Sequence, residues 1–205
     1  MMYSHVRANR EHKKDIKRNP HFRKSFQQMC DLVGVDCLAS KKGFWSELLG
    51  IGDFYYDLSV QVVECCLKTS AKNGGLIEMN ELQRLVTAMR GPNLPEVTCD
   101  DIAKSIDKLT ELGRGFQTHA FGDRMMVQSV PTEFNQDHSA VLGQAAAGGG
   151  KVTAPGLCAS VGWAEERAAT VLEQLVKDGM AWVDDQAEAG AREYWLPGLI
   201  AESDR

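Results

Sequence analysis

The chain has 205 residues, 43% of them apolar and 25% charged, with only 6 prolines. That composition belongs to globular proteins and excludes the disordered and collagen-like classes, and the length allows one large domain or two small ones. No run approaches the roughly 20 consecutive apolar residues of a membrane-spanning helix, and the first thirty residues lack the apolar stretch of a secretory signal, so a soluble intracellular chain is expected. The net charge of −5 divides unevenly, with +6 over residues 1–24 and −11 over the remainder. A basic arm on an acidic body points to an anionic partner at one end, through Lys13, Lys14, Lys17, Arg18, Arg23 and Lys24; a solvated helical face weighs equally.

From Asp53, the apolar residues Phe54, Leu58, Val62 and Cys65 or Cys66 recur at three and four positions, predicting one buried helical face as far as about Ala71. Asn73-Gly74-Gly75 stops the helix, and Leu76-Ile77 is long enough only for a strand stub. Asn80–Arg90 resumes a helical pattern, and a loop holding Pro92 and Pro95 follows. Thr98 is a good N-cap, Asp100 and Asp101 suit the dipole of the first turn, and Ile102, Ile106 and Leu109 form the stripe of a third helix reaching Gly113. Phe116–Phe121 and Met125–Val130 flank Gly122-Asp123-Arg124 as a hairpin.

The order then recurs. A helix from near Asn135 ends at Gly148-Gly149-Gly150, Lys151-Val152 is a stub, and Ala154–Ser160 is a short helix. Trp163–Lys177 is a longer helix with Ala168, Leu172 and Leu175 in its stripe, and Met180–Val183 with Glu193–Leu196 makes a second hairpin. Gly75, Ile77 and Leu82 map onto Gly150, Val152 and Leu157 at an offset of 75, and Ile106, Leu109 and Gly113 onto Leu172, Leu175 and Gly179 at an offset of 66. The nine positions lost are the proline loop. Repetition of both order and spacing predicts a mainly α fold with small β-wings: two tandem winged-helix domains, over residues 43–131 and 132–205, preceded by a basic helical segment at 1–42.

Catalytic chemistry finds little support in these residues. Of the five histidines, His5, His12 and His21 lie in the basic arm, His119 in a strand and His138 at a helix start, none beside a nucleophile pattern. The six cysteines (Cys30, Cys37, Cys65, Cys66, Cys99, Cys158) form no C-x-x-C pair and have no histidines at zinc spacing, so reduced thiols and no metal or other cofactor are expected. Gly50-Ile51-Gly52 lacks the third glycine of a dinucleotide loop. Direct nucleic-acid reading is disfavoured by charge. The third helix of the first copy sets Asp100, Asp101, Asp107 and Glu111 against Lys104 and Lys108, and its counterpart sets Glu165, Glu166, Glu173 and Asp178 against Arg167 and Lys177, a net −2 each.

What remains is aromatic. Trp163, Trp182, Tyr194 and Trp195 lie within about 33 residues, more than a small core readily encloses, and aromatic anchors are what protein interfaces use. These four are the candidate partner-binding residues.

The run Lys42-Gly43-Phe44-Trp45-Ser46-Glu47-Leu48-Leu49-Gly50-Ile51-Gly52-Asp53-Phe54-Tyr55-Tyr56, with Asn73-Gly74-Gly75-Leu76-Ile77, Gln128-Ser129-Val130-Pro131 and Tyr194-Trp195-Leu196-Pro197, closely resembles the larger winged-helix subunit of ESCRT-II, the ELL-associated vacuolar-sorting family. The resemblance runs from about residue 7 to about residue 200. It implies a non-enzymatic scaffold in a complex with one GLUE-domain subunit and two copies of a small winged-helix subunit, sorting ubiquitinated membrane proteins into multivesicular bodies. It also implies that the second winged helix receives a Pro-Pro-x-Tyr segment of the small subunit, and that the chain is cytoplasmic and peripheral on endosomal membranes. Family members begin with a longer segment, a basic lipid-holding helix and then a coiled coil, so anionic-membrane contact through this chain is expected to be weak. The alternative is a transcription-related winged-helix protein acting with elongation factors, with a nuclear pool.

Overall fold

The computed structural model describes residues 18–33, 51–110, 115–130, 134–187, 190 and 192–200. Helix α1 (Pro20–Val33) is followed by α2 (Ile51–Asn73), β1 (Leu76–Glu78), α3 (Met79–Arg90), α4 (Cys99–Thr110), β2 (Gln117–Phe121) and β3 (Arg124–Gln128). Then come α5 (Gln136–Ala147), β4 (Lys151–Thr153), α6 (Ala154–Val161), α7 (Glu165–Lys177), β5 (Trp182–Asp184), β6 (Glu193–Trp195) and a 3-10 turn at Pro197–Leu199. The described residues are mainly helical, with two three-stranded antiparallel sheets among them, ordered β1-β3-β2 and β4-β6-β5.

The repetition read from the glycines extends to the backbone. Ser129 N–H donates to Gly75 O at 2.8 Å, and Leu196 N–H donates to Gly150 O at 2.7 Å. In both places the carbonyl of the glycine before the short strand is taken by the residue just after the hairpin's second strand. Donors that would be orphaned where pairing ends are thereby satisfied.

Contacts divide the chain into two units, residues 1–62 with 83–108, and residues 63–82 with 109–205. In the first unit, Phe54, Leu58 and Val62 from α2 are buried, as are Val86 from α3 and Ile102 and Ile106 from α4. The second unit encloses a core of Leu76, Phe121 and Met126 with Val141, Leu142, Leu157, Leu172, Leu175, Tyr194 and Leu199. Elements of both sequence repeats thus share one hydrophobic core. At Gly198 an added Cβ would lie 2.1 Å from Leu76 O, so only glycine fits the turn against β1.

Two expectations are corrected in detail. Arg124 was expected in a hairpin turn but pairs with Phe121 in the ladder, leaving Gly122-Asp123 as a two-residue turn, and its Nη1 donates to Leu199 O at 3.1 Å. Trp163 was expected inside a helix but precedes it. Gly162 ends α6 in the left-handed region (φ 74°) and Ala164 is extended as the N-cap of α7, so Trp163 sits on the bend between two helices.

Candidate partner-binding site

Strand pairing sorts the aromatic cluster by face. Residues directly opposite in an antiparallel ladder share a face, and neighbours along a strand take opposite ones. Lys151, Trp195 and Trp182 form one row across the second sheet, and Val152, Tyr194 and Val183 form the next. Tyr194 and Val152 point into the core and are buried, whereas Trp182 is 52% exposed and Trp195 partly so. Tyr194, expected with the partner-facing aromatics, is therefore a core residue. The pleat forbids adjacent Tyr194 and Trp195 from serving the same side.

The outward row is held by its own chemistry. Lys151 Nζ lies 5.5 Å from the Trp195 ring centroid and donates to Glu193 Oε1 at 3.0 Å, fixing an ammonium beside the indole. The result is a pair of adjacent tryptophans flanked by an ion pair on an accessible sheet face. Lys151 was not picked out from the sequence, although its place beside the stub's core residue Val152 would have put it outward.

Trp163 lies elsewhere. Its ring is partly buried against the second unit's core, and the Arg167 guanidinium sits 4.8 Å above it. Arg167 in turn makes a forked pair with Asp137, Nε to Oδ2 at 3.1 Å and Nη2 to Oδ1 at 2.6 Å. Those hydrogen bonds hold the Asp137 carboxyl below its ordinary value. The four aromatics expected at one interface thus resolve into an adjacent pair of one exposed and one half-buried tryptophan, a capped ring on a helix bend and a core tyrosine.

The residues expected to meet an anionic partner divide similarly. Lys13, Lys14 and Lys17 lie outside the described residues. Arg18 is exposed, and Lys24 pairs with Asp100 at 3.0 Å in solvent. Arg23 is only 2% exposed. It donates through Nε to Asp101 Oδ1 at 3.0 Å and through Nη2 to Asp101 Oδ2 at 2.7 Å, so it serves the interior of the first unit. Asp101, read from the sequence only as a helix-dipole partner, proves to be the buried hub of that unit.

Reactive chemistry has little foothold among the described residues. His119 shares a hydrogen bond with Gln128 Oε1 at 2.8 Å and lies 4.7 Å from the Phe134 ring centroid. His138 is buried at the start of α5, where its N–H donates to Asn135 Oδ1 at 2.9 Å in a reciprocal cap. Cys65, Cys66, Cys99 and Cys158 are free thiols. Burial, followed by the nearby Cys65, pushes the Cys66 thiol up to about 12, which keeps it neutral and unreactive. No group of three His, Cys, Asp or Glu residues able to hold a metal occurs among the described residues, and no described helix is long and apolar enough to cross a membrane.

The chain is 50% identical over 192 residues to the human vacuolar-sorting protein SNF8, covering 94% of this chain and 74% of that protein. It is 45% identical over 188 residues to the vacuolar protein sorting-associated protein 22 homolog 1 of Arabidopsis thaliana, covering 92% and 75%. Among solved structures it resembles a chain of the ESCRT-II endosomal trafficking complex with a TM-score of 0.73 and 30% identity, over 95% of this chain and 87% of that one. The model of the EAP30/Vps36 family matches residues 6–185, and the chain belongs to that family.

Proposed function

We infer that this chain is the larger winged-helix subunit of an ESCRT-II complex, a non-enzymatic scaffold working in vacuolar sorting at endosomes. The observation that carries the reading is the agreement of fold, at 30% identity over 95% of the chain, with a chain of the solved ESCRT-II endosomal trafficking complex. Two successions of helix, short strand, two helices and hairpin are read as tandem winged-helix modules at 43–131 and 132–205, after a basic helical segment at 1–42. The cargo is ubiquitinated membrane protein bound for multivesicular bodies.

The partners are a GLUE-domain subunit and two copies of a small winged-helix subunit, one of which docks a Pro-Pro-x-Tyr segment on the second module. Trp182 and Trp195 support that placement, because flat proline and tyrosine rings suit a partly exposed aromatic surface and aromatic anchors concentrate binding energy. With Arg23 turned inward, contact with anionic membrane falls, among the described residues, to exposed Arg18 and Lys24 and is weak and salt-sensitive. Co-expression with the candidate partners, followed by light scattering on the purified assembly, tests the reading. A mass for one copy of this chain, one GLUE-domain subunit and two small subunits is expected, and elution of this chain alone would refute it.

A further inference from the structure

The first unit contains a charged pair of an unusual kind for an acidic body. Arg23 and Asp101 stand 78 positions apart, and their side chains are 2% and 5% exposed. Arg23 Nη2 also donates to Glu96 O at 2.7 Å, and its guanidinium lies 4.6 Å above the Phe54 ring. The fork of the guanidinium matches the carboxylate, a fit that lysine does not reproduce.

The surroundings of the two partners differ. On α1, His21, Lys24, Ser25 and Gln28 are exposed, as are Phe22 at 42% and Leu32 at 89%, while Phe26, one turn along from Arg23, is half-buried. The second ion pair from this helix, Lys24 with Asp100, has both side chains more than half exposed and so adds little. Pro20, His21 and Lys24 also line an open cleft with Thr98, Cys99 and Asp101.

Asp101, by contrast, is held by its own segment. Its Oδ2 accepts from Thr98 N at 3.0 Å and from Thr98 Oγ1 at 2.8 Å, its N–H donates to Thr98 Oγ1 at 3.2 Å, and Tyr55 Oη donates to its Oδ1 at 2.8 Å. These bonds cap α4 whether or not α1 is in place. Arg90 also lies 5.5 Å from the Phe54 ring centroid.

We propose that α1 is a releasable arm latched to the first unit by Arg23, so that loss of the Arg23–Asp101 pair frees α1 while the start of α4 stays folded. A buried ion pair adds little net stability compared with an apolar contact, yet breaking it by removing one partner is costly. Those are the properties of a clasp that is either closed or open. Opening uncovers the Asp101 carboxylate, the Tyr55 hydroxyl and one face of Phe54.

Hydrogen exchange by mass spectrometry on the full chain tests this, because local opening is read segment by segment. Arg23→Gln is expected to speed exchange across 20–33 by about a hundredfold or more, with 99–108 and 136–177 staying within about threefold of wild type. Arg23→Lys, which keeps the charge but not the fork, should recover at least about tenfold of that loss. Wild-type protection of 20–33 in Arg23→Gln would overturn the proposal. So would loss of protection in 99–108 together with 20–33, failure of the variant to fold, or no recovery with lysine.

Discussion

Replacing Trp182 by alanine separates a binding surface from a core. The ring is 52% exposed, so about half of the roughly 200 Å² that such a side chain can bury is already in water. At about 25 cal/mol per Å² the remaining half is worth at most about 2.5 kcal/mol of folding stability, an upper bound because real unfolded chains bury part of that area. Tyr194, 4% exposed on the opposite face of the same sheet, should instead cost about 3–5 kcal/mol when cut to alanine. For a chain of this size that lowers the melting midpoint by very roughly 6–20 °C. At the interface the order reverses. Trp182→Ala and Trp195→Ala should each weaken binding of a Pro-Pro-x-Tyr segment by about thirtyfold, or 2 kcal/mol, measured by titration calorimetry at a temperature where both variants are folded. Melting and titration on the same preparations give both numbers. Folded Trp182→Ala and Trp195→Ala variants with undiminished affinity would refute the assignment of this face.

Gly198→Ala should destabilise the second unit by about 1–3 kcal/mol, because the new methyl would meet three backbone atoms of Asn73 and Leu76 that cannot rotate away; an unchanged melting midpoint would contradict that packing. Burial alone would raise the Asp101 carboxyl, but hydrogen bonds from Arg23 and Thr98 outweigh it and hold the group below its usual value. Its contribution is therefore present above the unfolded value and lost as pH falls through the lower folded one: denaturant midpoints of the first unit should be flat from about pH 7 to 5 and fall below about pH 4, a drop that Asp101→Asn removes. Random duplex DNA at low salt should give no micromolar anisotropy signal once residues 1–24 are removed, since the third helices carry −2 each and Lys108 of α4 is buried.

The sequence was most legible where punctuation and period act locally. The helix stops at Asn73-Gly74-Gly75 and Gly148-Gly149-Gly150 bounded elements to within a few residues, and the stripe of Phe54, Leu58, Val62, Cys65 and Cys66 is buried throughout. The opposite roles of Tyr194 and Trp195 were also within reach, because any strand through them must alternate. Trp163 was misplaced because a helical pattern does not reveal a left-handed residue one position before it. The Arg23–Asp101 pair was out of reach for a different reason. Each residue had a sufficient local explanation, a basic arm for one and a helix dipole for the other, and no periodicity links positions 78 apart.

The seating of Gly198 against Leu76 also sets a clock on synthesis. Strand β1 leaves the ribosome about 120 positions ahead of the turn that covers it, which at roughly 5–20 residues per second is a wait of about 6–24 s. During that interval Leu76 has no final cover, and contacts between segments so far apart are the slowest to form. A nascent chain of this protein therefore passes through a window in which its second unit is incomplete and unclosed. That window is where a holding chaperone, or translation alongside a partner subunit, would have its effect.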